Sequence, residues 1–176
     1  MVVIPISGKA GHGKDTLAGF MKNNLEKQGK RVLITHYGDL LKYICRQFFG
    51  WDGLKNQKGR TLLQHVGTDI VREQKPDFWV NFLYDVVTMF HDEWDYVLIP
   101  DTRFPNEVDI FKTSTAVTSY HVRIIRPGFS KLTPEQQQHP SETSLDDYPY
   151  NLLVVNDQDL TKLQRLADDL CNVLIS

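Results

Sequence analysis

The sequence predicts an α/β fold of three layers, with a five-stranded, mostly parallel sheet and helices on both faces. Three observations predict it. Short apolar runs of strand length alternate along the chain with longer stretches of helical periodicity. Such alternation implies right-handed crossovers and parallel pairing. Four of the five strand-like runs also end in turns rich in glycine or charge, which is where open parallel sheets gather their ligands.

The elements follow in order. Val2–Ile6 is continuously apolar and stops at Ser7-Gly8, as a strand covered on both faces should. Leu17, Phe20, Met21 and Leu25 share one helical face, and Gly29 suits the end of that helix. Lys30-Arg31 leads into a second strand, Val32–His36. A more helical middle follows. Leu40, Leu41, Ile44, Phe48 and Phe49 form one apolar stripe. Leu62, Leu63, Val66, Ile70 and Val71 form a second, and Trp79, Phe82, Leu83, Val86, Val87 and Phe90 a third. Tyr96–Ile99, Tyr120–Ile125 and Leu152–Val155 read as the remaining strands. A closing helix turns Leu160, Leu163, Leu166, Leu170, Val173 and Leu174 inward. No linker or repeat divides residues 1–176, so one domain is expected.

Composition narrows the function classes. The 176 residues carry 20 Lys+Arg against 22 Asp+Glu, a formal charge of −2. That balance argues against holding a nucleic acid polymer by general electrostatics. The two cysteines, Cys45 and Cys171, have no metal-ligand spacing and read as free thiols of a reducing compartment. No signal peptide or membrane span is evident, and a cytoplasmic protein is expected, with no membrane partner.

The chemistry begins at GKAGHGKDT, residues Gly8–Thr16, between the first strand and the first helix. This is a G-x-x-x-x-G-K phosphate loop, or P-loop. Its glycines let successive amides turn inward around a phosphate, the helix N-terminus adds a positive dipole end, and Lys14 supplies a flexible point charge. Gly8, Lys9, Ala10, Gly11, His12, Gly13, Lys14, Asp15 and Thr16 are therefore the candidate ATP-phosphate ligands. Asp15 stands where Ser or Thr usually follows the lysine, so Mg²⁺ is held either with help from Asp15 or mainly by phosphates and water. His12 is expected to point to solvent or a neighbouring helix. The remaining histidines show no ligand spacing.

A phosphoryl acceptor needs its own site, and an anionic acceptor needs arginines. Asp39 and Lys42 follow the second strand, next to the phosphate loop. Arg60, Gln64 and Gly67 share one non-apolar helical face, and Gly67 in mid-helix implies that something approaches it closely. Asp69 and Arg72 lie on the same segment, and residues 37–75 are read as the acceptor-binding part. Asp101 ends the third strand in the manner of a carboxylate that helps hold Mg²⁺, with Arg103 beside it. Arg123 and Arg126 close the fourth strand. The polar segment 127–150 that follows is read as a lid that excludes water, although Lys131 is its one strong cation.

Together GKAGHGKDT, YGDLLKYI, GRTLLQHVGTDIVREQKPDFWV, IPDTRFPNE and HPSETSLDDY resemble the deoxynucleoside monophosphate kinases of bacteriophages and their close relatives, from residue 2 to about residue 148. The resemblance implies an adenylate-kinase-like fold, ATP and Mg²⁺, a nucleoside monophosphate as partner substrate, and the host cytoplasm as location; a homodimer is compatible with it. It places Asp39, Arg60, Arg72, Asp101 and Arg103 around the acceptor or the metal. It also matches Glu107 and the His139–Glu142 segment to family positions.

The combined expectation is transfer of the γ-phosphoryl group of ATP to a deoxynucleoside monophosphate. Lys14, Asp101, Arg103 and Arg126 would be catalytic, and Asp15 and Asp101 would face the metal. Asp39, Lys42, Arg60, Arg72, Arg103 and Glu107 would hold the acceptor. Two alternatives stay open: a P-loop kinase for another phosphorylated acceptor of the dephospho-coenzyme A or phosphomevalonate kind, and an ATP-binding regulator without turnover.

Overall fold

The structure, a computed structural model, describes residues 1–54 and 56–175. Strand β1 (Val2–Ser7) leads through the phosphate loop to helix α1 (Lys14–Lys27), then to β2 (Val32–Ile34) and α2 (Gly38–Phe49). Helix α3 (Gln57–Gln64) runs directly into a π-helical segment (His65–Arg72), followed by α4 (Phe78–Met89), β3 (Tyr96–Thr102) and α5 (Pro105–Lys112). Strands β4 (Thr118–Ser119) and β5 (Val122–Ile125) precede two one-turn helices, α6 (Pro134–Gln137) and α7 (Pro140–Thr143). Strand β6 (Leu152–Val155) and helix α8 (Leu160–Ile175) complete the described chain.

The sheet order is β2-β3-β1-β5-β6, with β4 also paired to β1, and every pairing is parallel. All strand C-termini therefore share one edge, as the alternating pattern predicts. The expected strand Tyr120–Ile125 is broken instead. Its first part pairs Val2 with Thr118 and its second pairs Ile6 with Val122. The break falls at Tyr120-His121, where the Asn151 side chain accepts the His121 amide at 2.8 Å in place of a strand neighbour. This adds a sixth, two-residue strand to the expected five.

Side chains alternate across the sheet and split the core into two layers. Ile4, Ile6 and Leu98 pack with Leu17, Met21, Leu25 and Leu163 under α1 and α8. Val3, Val97 and Ile99 pack with Val80, Leu83, Val87 and Phe111 under α4 and α5. Leu17, Met21 and Leu25 are wholly buried, so truncating any of them to alanine would cost about 2–5 kcal/mol. A third cluster, Cys45, Trp51 and Val66, sits in the helical middle section, with Leu41, Leu62 and Leu63 against it.

The middle section departs from expectation in three respects. The second apolar stripe is an α-helix that widens into π winding. Phe48, Phe49, Phe82 and Phe90, members of the apolar stripes, are exposed. Finally, the group that approaches Gly67 belongs to the protein. A Cβ there would lie 2.6 Å from Leu41 Cδ2, and the Trp79 indole donates to the Gly67 carbonyl at 3.1 Å. Gly67→Ala must push Leu41 aside and is expected to lower stability by about 1–3 kcal/mol. Urea unfolding checks this, since a midpoint equal to wild type would show that α2 yields freely. Helix α5, opened by Pro105 at its first position, was not expected from the pattern because its eight residues hold only Val108, Ile110 and Phe111 as apolar signal.

Cys45 and Cys171 are both buried and unpaired by disulfide. Among the described residues no helix is long and apolar enough to cross a membrane.

Candidate active site

The phosphate loop spans the gap between β1 and α1. Its backbone turns left-handed at Gly13, with φ +100°, a conformation that an L side chain rarely adopts. Gly8 is needed for space, because a Cβ there would lie 2.3 Å from the Ile124 carbonyl oxygen. The loop is thus wedged against the end of β5. His12 belongs to that wedge rather than pointing to solvent. It is buried, its carbonyl accepts from the Asn156 side chain at 3.0 Å, and its Nδ1 accepts the Arg126 amide at 3.3 Å. Burial, the largest cause, holds His12 below its ordinary pKa, and its Nδ1 also lies 3.4 Å from the Ile124 carbonyl.

Lys14 is buried, and its ammonium donates to the Gly8 carbonyl at 2.6 Å and the Lys9 carbonyl at 3.1 Å. Burial, with Arg103 nearby, pulls its pKa down to about 8. A cation in that state gains from any anion placed beside it.

The cradle in front of Lys14 already contains an anion. Glu142, from the one-turn helix α7, accepts the Ala10 amide at 2.8 Å and is ion-paired with Arg103. Its side chain is 6% exposed. Asp146, four residues on, pairs with Lys9 at 3.1 Å and with Arg123 at 2.9 Å. The lid segment therefore rests on the phosphate loop through two carboxylates. Its expected cation, Lys131, lies over the loop as well, since a Cβ at Gly11 would touch its stem at 3.0 Å. Arg126 stacks on Phe129 with its guanidinium 4.1 Å from the ring centre.

The other strand ends converge on the same edge. Both Asp101 oxygens accept backbone amides at the start of α2, from Tyr37 and Gly38, each at 2.9 Å. His36 bridges Asp15 at 3.0 Å and Asp39 at 3.3 Å, which ties α1 to α2. Its bond to Asp15 raises the His36 pKa. Burial pushes Asp39 upward, but Lys42, at 2.7 Å, and His36 outweigh it and hold Asp39 below its usual range.

The acceptor-side residues divide. Asp39 and Lys42 form an i,i+3 pair beside the loop. Arg72 extends from the π-helical segment to Glu107 and lies 4.0 Å from the Phe104 ring centre. Glu107 is 1% exposed and also accepts the Arg103 and Phe104 amides at 2.6 and 3.1 Å. Burial drives Glu107 upward in pKa, opposed by Arg72 and those amides. Arg60 stands on the exposed side of α3.

Sequence reasoning matched Glu142 to a family position without a role, and gave Asp146 none. An acidic residue in a polar loop carries no periodic signal, and only the tertiary fold brings it to the loop. The buried pair Ser7–His121 was missed for the same reason. His121 Nδ1 donates to the Pro149 carbonyl at 2.9 Å, so its Nε2 accepts the Ser7 hydroxyl at 2.7 Å. Through the two bonds of its ring, His121 links the end of β1 to the end of the lid.

The fit to Mg²⁺ follows from these donors. Among the described residues no three His, Cys, Asp or Glu side chains group as a metal site. Asp15 and Asp101 are oxygen donors near Lys14. That suits an ion held by one or two carboxylates, substrate phosphates and water.

Known proteins agree with this architecture. The model of a family described as deoxynucleotide monophosphate kinase matches residues 50–166. The deoxynucleotide monophosphate kinase of Enterobacteria phage T4 is 31% identical over 106 residues, covering 59% of this chain and 41% of that protein. The chain thus matches less than half the length of that relative. In structure, the chain resembles the APS kinase of Mycobacterium tuberculosis in complex with AMPPNP and APS, with a TM-score of 0.56 and 15% identity over 99% of this chain and 97% of the other. A gluconokinase from Sinorhizobium meliloti gives a TM-score of 0.51 and 14% identity over 98% and 92%. These two likenesses show an α/β fold similar to that of P-loop kinases. Since the family match spans more than half of its residues, the chain belongs to the deoxynucleotide monophosphate kinase family.

Proposed function

We propose that the protein transfers the γ-phosphoryl group of ATP to a deoxynucleoside monophosphate, releasing ADP and the deoxynucleoside diphosphate. The observation that carries this reading is the cradle of Gly8–Thr16, where the Ala10 amide and Arg103 already hold a carboxylate beside the buried Lys14. The family match gives the acceptor class.

In the proposed reaction an oxygen of the acceptor phosphate attacks the γ-phosphorus in line. The bond from that phosphorus to the β,γ-bridging oxygen breaks, and its electron pair leaves with ADP. No general base is required, because the acceptor is already an anion. The loop amides and Lys14 hold the donor phosphates, while Arg103 and Arg126 are close enough to the loop to offset charge on the transferring group. Asp39, Lys42, Arg60 and Arg72 line the side from which the acceptor arrives, and orienting it there lowers the barrier by proximity. Asp15 and Asp101 would help hold Mg²⁺, which would supply charge neutralisation to the donor phosphates.

The test is to incubate the protein with MgATP and each deoxynucleoside monophosphate and to look for diphosphate. Turnover with at least one is expected. Turnover only with other phosphorylated acceptors would replace the acceptor assignment. Tight ATP binding without transfer to any acceptor would favour a regulator.

A further inference from the structure

The Glu142 carboxylate occupies a place suited to a substrate phosphate. It is buried, yet it belongs to neither core layer. Its partners are the Ala10 amide in the cradle and the guanidinium of Arg103. Lys14 is close enough to feel its charge. The space between loop and lid, walled by Gly8, Lys9, Arg103, Ser141 and Glu142, has a cavity volume of only about 10 Å³. A water needs roughly that much probe volume, and a triphosphate needs far more. Glu142 takes up the Ala10 amide and the Arg103 guanidinium that a donor phosphate would otherwise use.

We propose that Glu142 is a built-in competitor for the donor phosphates. Resting on the kinase reading above, the inference is that ATP binding must displace the Glu142 carboxylate, which breaks its ion pair and frees Arg103 for the transferring phosphoryl group. The exchange replaces one anion by another on the same amide and guanidinium. Arg103 is thereby kept on a protein anion until a donor is present, so the arginine nearest Lys14 is released only when it is needed. Asp146 on Lys9 holds the same segment at a second point and follows it when the lid opens. Because only the uncovered fraction of the protein can bind, the apparent affinity for the donor is reduced by that fraction.

Calorimetric titration of the full chain with Mg-AMPPNP tests this. Glu142→Gln keeps the shape but removes the charge, and it is expected to bind about tenfold tighter than wild type, the change for a competitor present roughly nine-tenths of the time. Affinity equal to or weaker than wild type, with an unchanged melting curve, would overturn the proposal. Hydrogen exchange of wild type offers a second reading that needs no variant. On adding Mg-AMPPNP, the amides of Glu142, Ser144 and Asp146 are expected to exchange faster while those of the loop slow down; added protection in both would count against displacement. Absence of any AMPPNP binding by wild type would instead remove the kinase reading on which the inference stands.

Discussion

Lys14→Met is expected to slow transfer roughly 10²–10³-fold while making the protein more stable. From inside the cradle, Lys14 donates to the Gly8 and Lys9 carbonyls of its walls. Removing one such group from a preorganised site costs roughly 10²–10³ in turnover. The stability change has the opposite sign. Burial first, and Arg103 second, pull Lys14 from 10.5 to about 8. Between those values the unfolded chain binds more protons than the folded one, so wild-type stability rises with pH across that window. Below pH 8 the full cost of a buried charge is present. At about 1.4 kcal/mol per pKa unit this amounts to roughly 1–3 kcal/mol after the lost bonds to Gly8 and Lys9 are allowed for. The variant should therefore melt higher than wild type at pH 7 and lack the rise toward pH 10. Initial rates together with melting curves at the two pH values check both halves. Normal turnover by the variant would remove the loop from the mechanism.

Glu107→Ala is expected to be the most destabilising single change at the site. It strands the Arg72 guanidinium on the Phe104 ring and leaves the Arg103 and Phe104 amides without an acceptor in a buried place. Breaking one side of a buried ion pair costs about 3–5 kcal/mol. For a chain of this length that lowers the melting temperature on the order of 10 °C. Glu107→Gln should fall between, since it still accepts from the two amides. The paired change Glu107→Met with Arg72→Met should cost much less than the two single changes added together, because no unpaired charge remains. An acceptor-binding role for Glu107 predicts otherwise: a raised KM for the monophosphate in Glu107→Gln with an unaltered melting curve.

The fold was legible because its signals are local and repeated. Val2–Ile6 between turn residues, the Leu17–Leu25 stripe and the Gly8–Thr16 loop each announce their structure within a few residues. Parallel order then follows from alternation, and convergence at one edge follows from parallel order. The misread parts depend on partners remote in sequence. Nothing near Tyr120 signals that Asn151 will interrupt its strand. Phe48 and Phe82 keep helical spacing but face solvent, since periodicity marks an apolar stripe without saying what covers it. Gly67 was correctly read as a point of close approach, although the visitor is Leu41. At the site, Lys14, Asp101 and Arg103 could be placed from their positions after strands. Glu142 and Asp146 could not, because a lid's carboxylates reach the loop only through the bends of residues 127–150.

The opposite rim of the sheet is free of this chemistry. There Arg31 clasps Asp95 with its guanidinium and its own amide, at 3.1 and 2.8 Å, closing the entrance to β2 and β3. Gly29 beside it meets nothing within 4 Å. Since the candidate site and this clasp lie at opposite ends of one set of strands, the turn at residues 28–30 is a natural anchor point: a tag or surface linkage placed there would hold the molecule by its base and leave the candidate site open to solvent.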